Sequence, residues 1–331
     1  MKPYDKESLA SVDLGAFLQG SAEERQKIAD QVDEICRSIG FLMIKNHGVE
    51  KSICHAVWAS AELFFKQSED DKLKARSENL SCPRGYFPVE GEALAKTRGR
   101  EAAPPDRKET FSIGPLISPI GHENKDDFDF FYGSNIWPNR PKEFRASWTA
   151  YYRAMEQLGA QIMQLLAVAL KLKDDYFVPY HSHHISALRA QHYPSSINEK
   201  LAGQLRAGAH SDYGSVTILN PDPIVGGLEV KSPSGNWITP PKVKDAFIVN
   251  IGDLLARWTN DRWVSTLHRV VDPENAELKA PPSRQSIAYF LNPNYDAKIK
   301  AIETCVEKDR TAHYAPVSAG AYLMDKFKVS I

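Results

Sequence analysis

The stretch Ala209–His210–Ser211–Asp212–Tyr213–Gly214 places an imidazole and a carboxylate two residues apart. On a strand, residues two apart project to the same face, so His210 and Asp212 can offer a nitrogen and an oxygen to one metal ion without backbone strain. A single pair of this kind holds a divalent ion weakly, and a third ligand is expected from a neighbouring strand. His268, within Trp263–Val264–Ser265–Thr266–Leu267–His268–Arg269–Val270, is the candidate. Two histidines and one carboxylate on one face of a β-barrel form the triad that leaves open positions on non-haem Fe(II). Arg284–Gln285–Ser286 adds a guanidinium and a hydroxyl on one strand face, a planar fork plus a further donor suited to a carboxylate inside a barrel. A buried guanidinium needs such a partner, because an unpaired charge in an apolar interior is expensive. Together these residues suggest a dicarboxylate ligand, one end on the metal and the other on Arg284. Each piece alone is weak, since His-X-Asp is common by chance and most Arg-X-Ser arginines sit on a solvated face. Their ordered combination inside one region of short strands carries the weight.

Those strands are written between Ile185 and Tyr295. Ala187–Tyr193, Arg206–His210, Val216–Leu219, Gly227–Val230, Trp237–Thr239, Ala246–Asn250, Val264–Val271 and Gln285–Phe290 read as short β-type runs separated by turn pairs such as Asn220–Pro221, Gly226–Gly227, Gly252–Asp253 and Asn260–Asp261. Strands at this spacing predict a sandwich, jelly roll or barrel. Before them, Ser11 to Leu14 is a short extended segment. Ala22 to Ile39 has helical spacing with Ser21 as N-cap, Gly40 ends that helix, and Phe41–Ile44 is an apolar strand. A second helix runs from about Ser52 to Phe65, and a long one from about Pro141 to Leu172. Residues 77–119 are rich in Pro and Gly and read as long loops of the kind kept for binding. The tail after Ala301 reads as helical.

At 331 residues the chain could hold two average domains or one large one. Forty-one basic residues against 42 acidic ones leave a net charge of −1, which argues against a nucleic-acid footprint and a polybasic membrane surface. With 42% hydrophobic and 25% charged residues, the chain can bury a sizeable core. No apolar run reaches the length of a membrane span, and the N-terminus carries no signal-peptide block. Cys36, Cys54, Cys82 and Cys305 are scattered without a CxxC pair, which suits reduced thiols in a cytoplasmic protein. His181–Ser182–His183–His184 looks like a metal tract, but its place between a helix and a strand favours loop and helix-end contacts.

The ordered motifs resemble the isopenicillin N synthase-like branch of the Fe(II)/2-oxoglutarate-dependent dioxygenases over most of the chain. The matching segments are Ile39–Gly40–Phe41, Lys45–Asn46–His47–Gly48–Val49, Arg84–Gly85–Tyr86, Lys108–Glu109–Thr110–Phe111, Leu188–Arg189–Ala190–Gln191–His192–Tyr193–Pro194, His210–Ser211–Asp212, Gly226–Gly227–Leu228–Glu229–Val230, Asn250–Ile251–Gly252–Asp253, Thr259–Asn260, His268–Arg269–Val270 and Arg284–Gln285–Ser286. The resemblance implies a mixed α/β fold with a mainly β core, a distorted double-stranded β-helix (jelly roll) flanked by helices. Residues 1–120 would be an N-terminal region of helices and loops packed on the barrel, and residues 121–331 the catalytic jelly-roll region with a C-terminal helix, the two forming one integrated domain. His210, Asp212 and His268 would ligate Fe(II). Arg284 and Ser286 would hold the distal carboxylate of the cosubstrate 2-oxoglutarate, with Tyr193 donating its hydroxyl to the same molecule. Gln191 stands where related enzymes usually carry Asn, which weakens the assignment of Tyr193. Arg84, Glu109 and Phe111 lie in segments that approach the barrel mouth in relatives and are substrate-contact candidates.

The implied reaction is oxidation of a small organic substrate with O2, by hydroxylation, desaturation or cyclisation, with release of succinate and CO2. Three alternatives stand beside it. One is an oxidase of the same branch that uses O2 without 2-oxoglutarate. Another is a zinc hydrolase on the same three ligands, which would leave Arg284 unexplained and lacks a general-base carboxylate. The third is a metabolite-sensing barrel, for which an open iron site has no use. Neither the substrate nor the oligomeric state is written in the sequence.

Overall fold

Alternation along each strand sends successive side chains to opposite faces, and in this chain the two faces have different neighbours. The computed structural model describes residues 8–79, 82–91, 104–119, 125–195, 201–223, 225–273, 281–307 and 311–330. Its strands are β1 (Ala10–Asp13), β2 (Phe41–Lys45), β3 (Gly85–Phe87), β4 (Glu109–Ile113), β5 (Ala187–Tyr193), β6 (Ala207–His210), β7 (Val216–Asn220), β8 (Leu228–Lys231), β9 (Trp237–Ile238), β10 (Phe247–Ile251), β11 (His268–Val270), β12 (Arg284–Leu291), β13 (Lys298–Ile299) and β14 (Val317–Ser318). The helices are α1 (Leu14–Gln19), α2 (Ala22–Ser38), α3 (Lys51–Phe65), α4 (Glu69–Leu73), α5 (Lys125–Tyr132), α6 (Phe144–Ala169), α7 (Asp253–Trp258) and α8 (Ala319–Ser330). No helix among the described residues is long and apolar enough to cross a membrane.

An eight-stranded sheet in the order β1-β2-β10-β7-β12-β5-β4-β3 is opposed by a four-stranded sheet in the order β6-β11-β8-β9. The two form the expected double-stranded β-helix with helices outside it. β1 to β4, all before residue 120, are edge strands of the same large sheet as β5, β7, β10 and β12. The N-terminal region therefore extends the barrel wall and does not merely pack against it.

The outer face of the large sheet is apolar and lies under α6. Tyr152 of α6 meets Tyr289 edge-on at 5.3 Å, and Gly159 lets Leu291 approach the helix backbone, since a Cβ there would sit 3.3 Å from the leucine methyls. Phe111 packs between Phe64, Phe144 and Trp148 at ring distances of 5.0, 4.9 and 5.1 Å. Each such buried aromatic contributes about 1.5–3 kcal/mol by leaving water. α2 begins with a capping box, Ser21 accepting from the Glu24 amide while Glu24 reaches back to the Ser21 amide. Gly40 closes it at φ +63, and a Cβ there would lie 2.1 Å from the Val264 carbonyl.

Three elements differ from the sequence reading. The strand expected over Val264–Val271 is only His268–Val270, because Asn260 and Asp261 take left-handed φ values and Val264 bonds back to Cys36. The Gly252–Asp253 and Asn260–Asp261 turns enclose a helix, α7, that turn signals alone hid. The tail is not helical from Ala301: a single turn at Glu303–Cys305 is followed by β14, which pairs with β13 before α8 begins. Parts of loops 77–119 and 272–283 lie outside the described residues.

Candidate active site

Register fixes which side chains face the barrel lumen. On β12, Arg284, Ser286, Ala288 and Phe290 share a face, and their partners on β5 are Tyr193, Gln191, Arg189 and Ala187. Ala288 and Phe290 lie beside Leu219 and Thr217 of β7, which lie beside Ile248 and Asn250 of β10, and these beside Met43 and Phe41 of β2. The alternate set, including His192, Ala190, Ile287 and Tyr289, faces the helices.

The small sheet brings the metal candidates together. His268 of β11 is the register partner of His210 of β6, with ring centroids 4.3 Å apart, and Asp212 follows two residues beyond β6. Their ligand atoms all lie within 4.8 Å of one another, with Asp212 Oδ1 3.9 Å from His210 Nε2 and 3.7 Å from His268 Nε2. His210 Nδ1 is 2.7 Å from the Gly208 carbonyl and His268 Nδ1 is 3.2 Å from that of Thr266. A carbonyl can only accept, so both Nδ1 atoms carry the proton and both Nε2 lone pairs turn toward Asp212. Burial, with His268 packed beside it, lowers His210 to about 4 and keeps its imidazole neutral. For Asp212, burial pushes the carboxyl up, but the two histidines and two hydrogen bonds outweigh it and leave the group below its ordinary value. Those bonds come from the far side of the barrel: Thr217 Oγ1 and Asn250 Nδ2 donate to Oδ2 at 2.6 and 2.7 Å. They leave Oδ1 for an ion. Thr217 and Asn250 were not singled out from the sequence as site residues, although Asn250 is the one polar side chain in the buried strand Phe247–Ile251. Phe41 closes over His268 edge-on at 5.3 Å. The turn carrying Asp212 needs close backbone approach: the Asp253 amide donates to the Asp212 carbonyl at 2.7 Å, and a Cβ on Gly252 would lie 2.2 Å from the Gly214 carbonyl. Two neutral nitrogens and one carboxylate oxygen suit a divalent transition metal.

Arg284 stands in the same lumen. Its Nη1 donates to Ser286 Oγ at 3.2 Å, its Nε to the Gly226 carbonyl at 3.2 Å, and its guanidinium lies 4.9 Å above the Tyr193 ring. Ser286 in turn donates to Gln191 Oε1 at 3.1 Å, which ties the glutamine to the Arg284–Ser286 pair. Arg284 is buried, yet no carboxylate pairs with it among the described residues. A cavity of about 970 Å³ reaches this guanidinium past the lumen residues Met43, Ile248 and Leu228, with Lys242 and Lys244 among its lining.

The remaining candidates fall elsewhere. Glu109 pairs across from His192 and Phe111 from Ala190, which puts both on the helix-facing side of the sheet. Arg84 is buried beside Gly114 and donates to the Phe131 and Pro83 carbonyls. In the histidine tract, His183 meets Asp296 and His184 meets Glu156, each at 3.1 Å, and His181 is held by the Phe177 carbonyl. These are loop and helix contacts. Among the described residues, only His210, Asp212 and His268 form a cluster able to hold a metal ion.

Comparison with known proteins agrees with this geometry. Residues 184–293 match the 2OG-Fe(II) oxygenase superfamily, and residues 9–140 match the family described as non-haem dioxygenase in morphine synthesis N-terminal. A 2-oxoglutarate-dependent dioxygenase of Trichoderma harzianum is 31% identical over 82% of this chain and 82% of its own length. A homoarginine-6-hydroxylase of Oryza sativa subsp. japonica is 32% identical over 92% of this chain and 89% of its own. Among solved structures, a full-length Neurospora crassa protein in complex with alpha-KG and thymine superposes with TM-score 0.84 at 30% identity, over 98% of both chains. With identity at this level over nearly the whole length, the chain belongs to the 2OG-Fe(II) oxygenase superfamily and is an Fe(II)- and 2-oxoglutarate-dependent dioxygenase that oxidises a small molecule.

Proposed function

We propose that His210, Asp212 and His268 hold the iron, and that Arg284 with Ser286 receives the distal carboxylate of 2-oxoglutarate. The observation that carries this is the buried Arg284, which has no carboxylate paired with it among the described residues and shares a lumen with three convergent ligand atoms. When bound, the iron and keto acid supply activation of O2 coupled to decarboxylation of 2-oxoglutarate to succinate. The protein's part is placement. His210 and His268 present fixed tautomers, Thr217 and Asn250 aim Asp212, and the Tyr193 ring supports the guanidinium from below. Tyr193 also offers its hydroxyl to the cosubstrate, and Gln191 fixes the Ser286 hydroxyl that completes the clamp.

Hydroxylation is the outcome we favour, as in the homoarginine-6-hydroxylase relative. The chain acts as one integrated unit, because strands from before and after residue 120 share one sheet. The free thiols at Cys36, Cys54, Cys82 and Cys305 fit a reducing cytoplasm. Anaerobic addition of 2-oxoglutarate to the Fe(II)-loaded protein tests the assignment. A charge-transfer absorption should grow to saturation, and Arg284→Met should move that saturation to much higher concentration. If the absorption saturates identically in the variant, Arg284 is not the anchor.

A further inference from the structure

His210 and His268 are held by the same device. Each Nδ1 proton goes to the carbonyl two residues back, that of Gly208 at 2.7 Å and that of Thr266 at 3.2 Å. The two strands are not equally supported. β11, which begins at His268, is paired on both sides, with β6 and with β8. β6, which ends at His210, is the edge of the small sheet, and β11 is its one strand partner among the described residues. Its pairing is also irregular. His210 pairs with His268 and Ala207 with Val270, a bulge that sets Gly208 and Ala209 against the single residue Arg269. A glycine in a bulged edge strand is a yielding base from which to aim a metal ligand.

Support comes from outside the sheet. The segment just before β4 runs along the open edge of β6, where the Arg107 amide donates to the Leu205 carbonyl at 3.1 Å. Next to it, Asp106 Oδ1 accepts from the Gly208 amide at 2.8 Å, and Lys108 Nζ donates to Asp106 Oδ2 at 3.0 Å. Both polar groups of Gly208 are thus committed at the bulge, the amide to Asp106 and the carbonyl to His210. Asp106 and Lys108 are only 2% and 3% exposed. A buried ion pair adds little stability over an apolar pair of similar size, because desolvation of the two charges offsets their attraction. What this pair does hold in place is Gly208, one hydrogen bond away from His210.

We propose that Asp106 is a positioning residue of the iron site. Through the Gly208 amide it fixes the residue whose carbonyl holds the His210 Nδ1 proton, and so aims His210 Nε2 at the metal. Lys108 keeps the Asp106 carboxylate charged and oriented in a buried place. The proposal rests on the reading of His210, Asp212 and His268 as the iron ligands. Asp106 would do for His210, by way of the backbone, what Thr217 and Asn250 do directly for Asp212.

The test compares two double variants of the intact protein, Asp106→Asn/Lys108→Met and Asp106→Leu/Lys108→Met. Both lose the ion pair and everything else that Lys108 touches, and only the first keeps an oxygen for the Gly208 amide. Calorimetric titration of the metal-free proteins with Co(II) should give the asparagine variant an affinity within about threefold of wild type. The leucine variant should bind about 10–100-fold more weakly, the range for losing a group that orients a metal ligand. Proton NMR of the Co(II) proteins adds a readout that packing alone does not move. The Nδ1 protons of His210 and His268 give shifted, exchangeable resonances; both should persist in the asparagine variant, and one should be lost to exchange in the leucine variant. Asp106→Ala/Lys108→Met carries the same expectation and replaces the leucine variant if that chain does not fold. Equal affinities in the asparagine variant and its apolar counterpart, whether both match wild type or both are weakened, overturn the proposal. Co(II) binding that is unchanged in His268→Ala would instead mean that the iron site itself is misplaced, which is a separate failure with its own control.

Discussion

The barrel wall shows one kind of buried charge to the helices and another to the lumen. On the helix side Glu109 is closed on all sides: His192 Nδ1, Lys72 Nζ and the Tyr86 hydroxyl each lie 2.6 Å from its oxygens, and His192 Nε2 accepts from Ser283 at 2.8 Å while its ring stacks on Phe65. On the lumen side Arg284 is buried with no carboxylate paired to it among the described residues, and His210, Asp212 and His268 aim their ligand atoms at a common point. Both sides pay desolvation. The chain itself completes the outer network, which therefore serves stability. On the function proposed above, iron and 2-oxoglutarate complete the inner groups, although each is as deeply buried as its outer counterpart.

The largest expected effect breaks the inner set. Asp212→Ala should abolish iron retention and succinate release, measured by metal analysis and coupled turnover, while the fold survives. Thr217→Val, which removes only the hydrogen bond aiming Asp212, should weaken metal affinity about 10–100-fold. Equal loss in the two variants would mean that Thr217 does more than orient.

Arg284→Met comes next. It should raise the KM for 2-oxoglutarate by about 2–5 kcal/mol of lost charge-assisted binding, thirtyfold or more. The unliganded variant should melt at or near the wild-type temperature, because a buried charge without a partner adds little to stability. Glu109→Gln should do the reverse. It leaves Lys72 without a counter-charge at the centre of the network and should cost about 3 kcal/mol in denaturant unfolding, with the 2-oxoglutarate KM unchanged. A KM effect from Glu109→Gln would erase the distinction between the two sides.

Acid sharpens the same contrast. Burial would raise Glu109, but His192, Lys72 and Tyr86 together hold it below its ordinary value. A carboxyl depressed in the folded state contributes stability above its unfolded pKa of about 4.3 and loses it as pH falls toward the folded value. The advantage of wild type over Glu109→Gln in urea midpoint should therefore be flat between pH 6 and 5 and shrink only below about 4.3.

Local spacing carried much of this into the sequence. His210 and Asp212 are two residues apart, Arg284 and Ser286 likewise, and the bounds Ala187–Tyr193 could be read directly because alternation and the turn residues agree there. What spacing could not supply was partners from remote strands. Thr217 and Asn250 reach Asp212 only once β7 and β10 are paired. Glu109 and Phe111 stand next to a lumen residue, Thr110, and one step of alternation sends both to the opposite face from it. The α7 helix was hidden because its six residues lie between two turn pairs that resemble a loop. Gln191, a departure from the related enzymes, accepts from the Ser286 hydroxyl, a contact that only the pairing of β5 with β12 reveals.

Phe111 gives the smallest effect and the cleanest separation. Its ring is fully buried among Phe64, Phe144 and Trp148 on the helix side, one residue from Thr110 on the lumen side. Phe111→Leu removes aromatic volume from a closely packed cluster and should cost about 1–2 kcal/mol, within the range for single core substitutions. Because the change lies across the sheet from the lumen, kcat and KM measured well below the melting temperature should match wild type. Thr110→Val is its counterpart. It adds a methyl on the lumen side and removes a hydroxyl that has no hydrogen-bond partner among the described residues, so stability should hardly change while substrate KM shifts. Should the leucine variant alter KM and the valine variant not, the face assignment of β4 would be inverted.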